Sequence, residues 1–258
     1  MTEAEYLALA PDVRARIDGA VSAFTSKQAQ FEADAGILQT RLLAHSDLKR
    51  LVHSIKWRAK DPEHLRDKLV RQALAATTTG ATFAVTPENV FEVVPDLAGV
   101  RLLHLHMRQM EQIHPLLLKI FDEEGYVVSR DPEAKTWDLE YEKMFERLGV
   151  RVERNESLYT SVHYVVKQNR TNVRQCELQV RTLAEEVWGE TSHTINYPHE
   201  TDSIACKEQL KVLARIVSGC SRLVDSIVTS YDDHKTRTEA SKADAALRDD
   251  ASGPSQPS

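Results

Sequence analysis

A change of apolar period near Asp96 constrains this chain more than any other feature. Before it, Val13, Ile17, Val21 and Phe24 recur at steps of four, four and three, and the alanine- and glutamine-rich stretch to Leu43 contains no proline. That pattern predicts helix. Asp61 then precedes Pro62, an N-cap followed by proline at the first helical position. The helix it opens should carry Leu65, Leu69 and Leu74 inward and break at residues 77–80. Beyond Asp96, Val100-Arg101-Leu102-Leu103, Gly125-Tyr126-Val127-Val128, Val150-Arg151-Val152 and residues 161–166 and 173–180 are strand candidates. Residues 109–124 suit a helix with Pro115 as a late start or a kink, and 131–136 read as a turn.

Strands with intervening helices imply an α+β fold, a mixed β-sheet core flanked by helices with N- and C-terminal helical extensions. The expected division is a helical region over 1–48, the core over 49–200, a C-terminal helix over 201–235 and a disordered tail over 236–258. On that last helix Leu210, Leu213, Val217, Cys220, Val224 and Ile227 repeat at 3-4-3-4-3. Such a seam fits packing on the protein's own core and an oligomer interface equally.

A length of 258 residues suits one medium-sized domain with helical extensions. The net charge of −6 argues against a general nucleic-acid binder, yet a local cationic pocket can still focus field on a small anion. Three cysteines without metal-ligand spacing read as reduced thiols. No apolar run approaches the roughly 18 residues of a membrane span. No signal-peptide pattern opens the chain, so the cytoplasm is the expected compartment and no membrane partner is expected.

Arg58, Lys60 and Lys68 cluster around the start of the Asp61 helix, and two carboxylates, Asp96 and Glu177, follow on separate strand-like segments. A polyphosphate nucleotide with a divalent metal needs this combination: fixed cations for phosphate oxygens and acidic oxygens for the metal. Taken singly, the cations suit a solvated helix face, Asp96 a turn, and Glu177 and Gln179 a half-exposed strand. Their joint occurrence in order carries the functional reading.

Four stretches together resemble the synthetase domain of the RelA/SpoT family, the alarmone synthetases. They are Arg58-x-Lys60 with His64 and Lys68; Asp96-Leu97-Ala98-Gly99-Val100-Arg101; Tyr159-Thr160-Ser161-Val162-His163; and Glu177-Leu178-Gln179-Val180-Arg181-Thr182. Trp188 and His193-Thr194-Ile195-Asn196-Tyr197 follow the fourth, and the resemblance covers about 42–197. It implies a nucleotidyltransferase-like core and transfer of the terminal pyrophosphate of ATP to the ribose 3′-hydroxyl of GDP or GTP. It also implies Mg²⁺ as cofactor, a homo-oligomer, commonly a tetramer, and a stand-alone small synthetase, since the chain has no His-Asp dipeptide of the kind the hydrolase domain uses.

On this resemblance, Asp96 and Glu177 are the catalytic and metal-binding pair, with Glu177 also placed to take the 3′-hydroxyl proton. Arg58 and Arg101 would hold adenine between guanidinium planes. Lys60, His64 and Lys68 belong to the ATP-phosphate segment. Tyr159 would stack on the acceptor base, with His163, Arg181 and His193 beside it. The chain departs from the family in Asn155-Glu156-Ser157-Leu158 before Tyr159, where a cation is usual, and Arg154 or Arg151 would substitute. Pro198 stands where the family commonly continues its helix. Acceptor choice therefore stays open between guanine nucleotides, adenine nucleotides and a tRNA 3′ end. A non-catalytic nucleotide sensor or assembly module is the alternative from another class, disfavoured by retention of both carboxylates.

Overall fold

The computed structural model describes residues 3–155, 158–197 and 200–251, with side chains to residue 242. Helices α1 (Glu3–Leu7), α2 (Pro11–Thr25), α3 (Gln28–Ala44) and α4 (Ser46–Leu51) lead into the sheet. As their periodicity requires, Ile17, Val21 and Phe24 of α2 and Phe31, Ala35, Leu38 and Leu42 of α3 are buried. The α3 helix lies against the first two strands.

Strands β1 (Val52–Ala59), β2 (Ala98–His104), β3 (Val127–Thr136), β4 (Arg151–Arg154), β5 (Ser161–Lys167) and β6 (Cys176–Thr182) form one sheet in the order β1-β2-β6-β5-β3-β4. Two neighbouring pairs are parallel, β2 with β6 and β3 with β4, and the others antiparallel, so the expected mixed sheet is present. The β2–β6 pairing sets Gly99 beside Glu177 and Arg101 beside Gln179. It is this register that draws two distant sequence stretches to one sheet surface.

The intervening helices are α5 (Pro62–Thr79), α6 (Val90–Val93), α7 (Met110–Glu123, with Pro115 inside), α8 (Leu139–Arg147), α9 (Leu183–Asn196) and α10 (Ile204–Ala251). Asp61 caps α5, its Oδ1 accepting from the Glu63 and His64 amides at 2.8 and 3.2 Å, and Gly80 closes the helix at φ +70°. That left-handed stop is where glycine is favoured. Leu65 and Leu69 are buried, but Ala73 takes the third inward position and Leu74 is only half-buried. Leu74 lies nine residues beyond Leu65, half a helical turn out of phase.

Several expectations need correction. Strand β1 was not expected, because Lys56, Trp57 and Arg58 interrupt its apolar alternation; Arg58 therefore lies on a strand, not at a helix entry. Residues 131–136 continue β3, with register irregularities flanking Arg130. Asp131-Pro132 marks a bulged strand there, which sequence alone reads as a turn. The C-terminal helix buries Leu210, Ala214, Val217, Ser218, Ser221 and Asp225, while Cys220 and Ile227 are exposed. A purely apolar seam misses this face because half of it is polar, with Ser218 and Asp225 docking by hydrogen bonds. Helix also continues through the segment expected to be disordered, to Ala251, consistent with its alanine, lysine and glutamate content. Glu156, Ser157 and Pro198 lie outside the described residues.

Candidate active site

Asp96 sits in a short 3-10 turn (Pro95–Leu97) immediately before β2. Lys60, in the turn between β1 and α5, donates to its Oδ2 at 2.8 Å, and Lys68, on α5, donates to its Oδ1 at 2.7 Å. Burial opposes charge on this carboxyl, but the two ammonium groups outweigh it and hold the pKa at about 2. The backbone N–H of Lys60 is bonded to the Leu97 carbonyl at 2.9 Å, so the loop is fixed on the 3-10 turn that carries the acid.

Glu177 lies next along the sheet on β6. Its Oε1 is 3.0 Å from His163 Nδ1, and its Oε2 accepts from Gln179 Nε2 at 2.8 Å. Burial pushes this carboxyl up, yet the His163 hydrogen bond and charge bring it below its usual value. An ionised carboxylate only accepts, so His163 donates through Nδ1, and its Nε2 lies 2.6 Å from Ser161 Oγ.

Asp96 and Glu177 line one cavity of about 490 Å³ together with Arg58, Gly99, Arg101, Gln179, Glu186 and Glu190. Arg101 donates to Glu186 at 2.7 Å and also pairs with Glu190; Arg181 pairs with Glu186 as well. Two carboxylates of α9 thus neutralise two arginines of the sheet. Gly189 makes the approach feasible, because a Cβ there would come within 2.5 Å of Arg181 Nη1.

A second cavity of about 420 Å³ adjoins the first, sharing Arg58, Arg101, Gln179 and Glu190. Tyr159, Ser161, His163, Arg181, Trp188, His193 and Tyr197 are among its walls. The Tyr159 ring stacks on Trp188 at 5.7 Å and 21°, and Trp188 Nε1 donates to the Leu210 carbonyl of α10 at 3.0 Å. His193 stacks on Tyr197 at 4.8 Å, and Tyr197 donates to Asp67 of α5 at 3.1 Å. The end of α9 is thereby tied across the cleft to α5.

Most of the expected site residues converge here: Arg58, Arg101, Asp96 and Glu177 on one cavity, Tyr159, His163, Arg181 and His193 on the other, and Lys60 and Lys68 through Asp96. His64 lines neither cavity; its ring rests edge-on against Tyr197 at 4.6 Å. Arg154 is the clear departure. It lies on β4, where Glu142 of α8 holds its guanidinium at 2.9 and 3.0 Å, away from both cavities. Arg151 pairs with Glu133 on the same sheet edge.

Another cation near this segment is Lys135 of β3, which faces Ser161 across the β3–β5 pairing, pairs with Glu153 at 3.5 Å and lines neither cavity. Burial works against its ammonium, but Tyr159 and Glu153 keep its pKa above the usual value. Sequence reasoning missed Lys135 because it lies on a different strand from the Tyr159 segment, within a stretch read as a turn. Trp188 was noted after the fourth stretch but not placed in the site, and Glu186 and Glu190 were missed; the i,i+4 spacing of the two glutamates on one helix face was the available signal.

Two carboxylates in a cavity that also offers arginines suit a hard divalent ion, which takes oxygen ligands from one or two acids and completes its shell with phosphate oxygens and water. Among the described residues no group of three or more His, Cys, Asp or Glu is arranged to hold a metal alone. Among them, too, no helix is long and apolar enough to cross a membrane.

A family profile described as a region found in RelA/SpoT proteins matches residues 57–202, more than half of the chain. Among solved structures, the chain is similar to small alarmone synthetase 1 from Bacillus subtilis, at 17% identity and TM-score 0.54 over 83% of this chain and 96% of that one. The same protein bound to its product pppGpp matches at 17% identity and TM-score 0.56, over 79% and 95%. A GTP pyrophosphokinase family protein from Streptococcus pneumoniae matches at 19% identity and TM-score 0.57, over 79% and 92%. At these identities the likeness establishes the fold. No curated protein matches the chain.

Proposed function

Because the chain belongs to the RelA/SpoT family, we propose that it is an alarmone synthetase, moving the terminal pyrophosphate of ATP to the ribose 3′-hydroxyl of GDP or GTP. One observation carries this reading: Asp96 and Glu177 line a single cavity with Arg58 and Arg101, and that cavity opens onto the one walled by Tyr159. Donor and acceptor would then meet at the shared wall. The relative's structure bound to its product pppGpp is consistent with a nucleotide using such a cleft here.

In the reaction the acceptor 3′-oxygen attacks the β-phosphorus of ATP, the bond from that phosphorus to the α–β bridging oxygen breaks, and AMP leaves. The protein has little covalent work to do; positioning and charge carry the catalysis. Arg58 and Arg101 flank the adenine, and Lys60 and Lys68 neutralise phosphate oxygens. Tyr159, braced by Trp188, supplies the stacking surface for the acceptor base, with Lys135 as the cation for its 5′-phosphates. Glu177, held ionised by His163 and Gln179, accepts the 3′-hydroxyl proton. Mg²⁺ would be held by Asp96 and Glu177 and would supply neutralisation of the phosphate charge.

The presence of Lys135 beside Tyr159 favours a phosphorylated nucleotide acceptor, and the net charge of −6 disfavours tRNA. Incubation with γ-labelled ATP, Mg²⁺ and a panel of GDP, GTP, GMP, ATP and deacylated tRNA tests the proposal. Labelled tetra- or pentaphosphate is expected with GDP or GTP. Transfer to tRNA or an adenine nucleotide alone would replace the acceptor, and nucleotide binding without transfer to any acceptor would favour the sensor alternative. The same proposal places the enzyme in the cytoplasm as a homo-oligomer, with exposed Ile216, Leu223 and Ile227 of α10 available for contact. A monomer mass by light scattering at assay concentration would remove that part.

A further inference from the structure

Tyr159 is held in an unusual way. The residue before it, Leu158, has φ +59°, the left-handed region that side chains other than glycine rarely adopt. Leu158 packs against a small apolar cluster of Trp188, Ala214 and Val217, separate from the main core. Something must therefore keep the chain from relaxing at this point, and the hydrogen bonds around Tyr159 and Thr160 show what does so. Asn155 brackets Tyr159, its Nδ2 donating to the Tyr159 carbonyl at 2.7 Å and its Oδ1 accepting from the Tyr159 amide at 3.3 Å. The Thr160 hydroxyl is 3.0 Å from that of Thr136.

The remaining contact comes from α9. Thr182 caps this helix, its Oγ1 accepting from the Glu185 amide at 3.2 Å. With threonine at the cap and glutamate three residues on, the glutamate side chain would ordinarily turn back to the amide of the cap residue. Here Glu185 Oε2 accepts instead from the Thr160 amide at 3.1 Å. The side chain is fully buried, with 1% exposure for the residue, and its Oε1 has no hydrogen-bond partner among the described residues. Burying a carboxylate with an oxygen unpaired is costly, so a helix-capping role alone does not account for it. Trp188, three residues further along the same helix, meets the Tyr159 ring. One helix face thus grips the Tyr159–Thr160 pair by backbone and by ring.

We propose that Glu185 is a positioning residue for the acceptor, anchoring the Thr160 amide so that the strained Leu158 turn presents the Tyr159 ring in a stacking-ready orientation. This rests on the synthetase reading above. Consistent with it, burial raises the Glu185 carboxyl to a pKa of about 7, so a neutral side chain of the same shape serves nearly as well as the charged one.

The test compares Glu185→Ala, Glu185→Gln and Leu158→Gly, singly and with Leu158→Gly combined with Glu185→Ala. Hydrogen exchange is followed on peptides spanning Thr160, alongside GDP and GTP kinetics. Glu185→Ala should speed exchange at Thr160 and raise acceptor KM by about tenfold or more, the scale of a lost buried hydrogen bond, with ATP KM nearly unchanged. Glu185→Gln should restore both, since its amide oxygen still accepts from Thr160. In the Leu158→Gly background the penalty of Glu185→Ala should shrink, because glycine adopts the left-handed turn without strain. Unchanged exchange at Thr160 in Glu185→Ala would overturn the proposal. So would equal effects on ATP and acceptor KM, or the full penalty persisting in the glycine background. If exchange responds as expected but wild type transfers to no guanine nucleotide, the anchoring stands and the assigned acceptor fails.

Discussion

Replacing Asp96 by asparagine should expose how far the donor cleft depends on a charge exchange. In the structure the Asp96 carboxylate is clasped by Lys60 and Lys68 at 2.8 and 2.7 Å, and its pKa falls from 3.8 to about 2. A shift of that size corresponds to about 2.5 kcal/mol of folding stability. The folded value lies below the unfolded one, so this stability is fully present above pH 3.8 and is lost as pH falls through 2. At neutral pH, Asp96→Asn should therefore lower the melting temperature by about 5–10 °C, for a protein of this size. The variant also leaves two ammonium groups facing each other without their anion, and ATP phosphates can replace it. In EDTA, ATP should raise the melting temperature of Asp96→Asn more than that of wild type, whereas turnover with Mg²⁺ should be lost. Differential scanning fluorimetry across an ATP titration reads both effects. A variant that melts with wild type, or gains no more from metal-free ATP, would refute the coupling of Asp96 to these lysines.

Glu177→Gln preserves the shape but removes the proton acceptor, so turnover should fall about a hundredfold or more while binding of a non-hydrolysable ATP analogue persists. Because His163 holds Glu177 below the usual carboxylate value, wild-type turnover should be flat through neutrality and fail only as acid protonates that group; a titration above the usual carboxylate range would contradict this. Lys135→Ala should raise acceptor KM about tenfold, while Arg154→Ala, whose cation is occupied by Glu142, should leave it unchanged; the reverse pattern would move the acceptor phosphates to the β4 edge.

The sequence made some parts of this protein legible because they depend on local chemistry. Asp61-Pro62 announces α5 through a cap and a preset backbone angle, and both signals act within one turn. The acids were legible through their neighbours in the chain, Asp96 before Gly99 and Arg101, and Glu177 before Gln179 and Arg181. Strand β1 was hidden because an edge strand whose face lines a cleft carries Lys56 and Arg58 where alternation would demand apolar groups. Lys135 was hidden by the same logic one level up: its role comes from the β3–β5 register, which no short motif contains. The docking face of α10 was misread because Ser218 and Asp225 are buried by partners, Asp138 and His106, that only the folded chain supplies.

Local charge also explains how an acidic chain can offer a cationic cleft. Arg101, Arg181, Lys60 and Lys68 are each engaged by a carboxylate, so the cleft is already close to neutral before any nucleotide arrives. Four unpaired cations on adjacent strands and α5 would repel one another across a poorly screened space. Nucleotide binding is then an exchange of anions, and the partners differ in how readily they yield. Glu190 is 59% exposed and can turn to solvent, whereas Glu186 is 14% exposed and bridges two arginines. Movement of Glu190 would leave Arg101 held by Glu186 alone, while Arg181 stays fixed by Glu186 against Gly189. The net charge of −6 therefore counts acids that include the cleft's own placeholders, and it carries no information about the field a phosphate meets once they step aside.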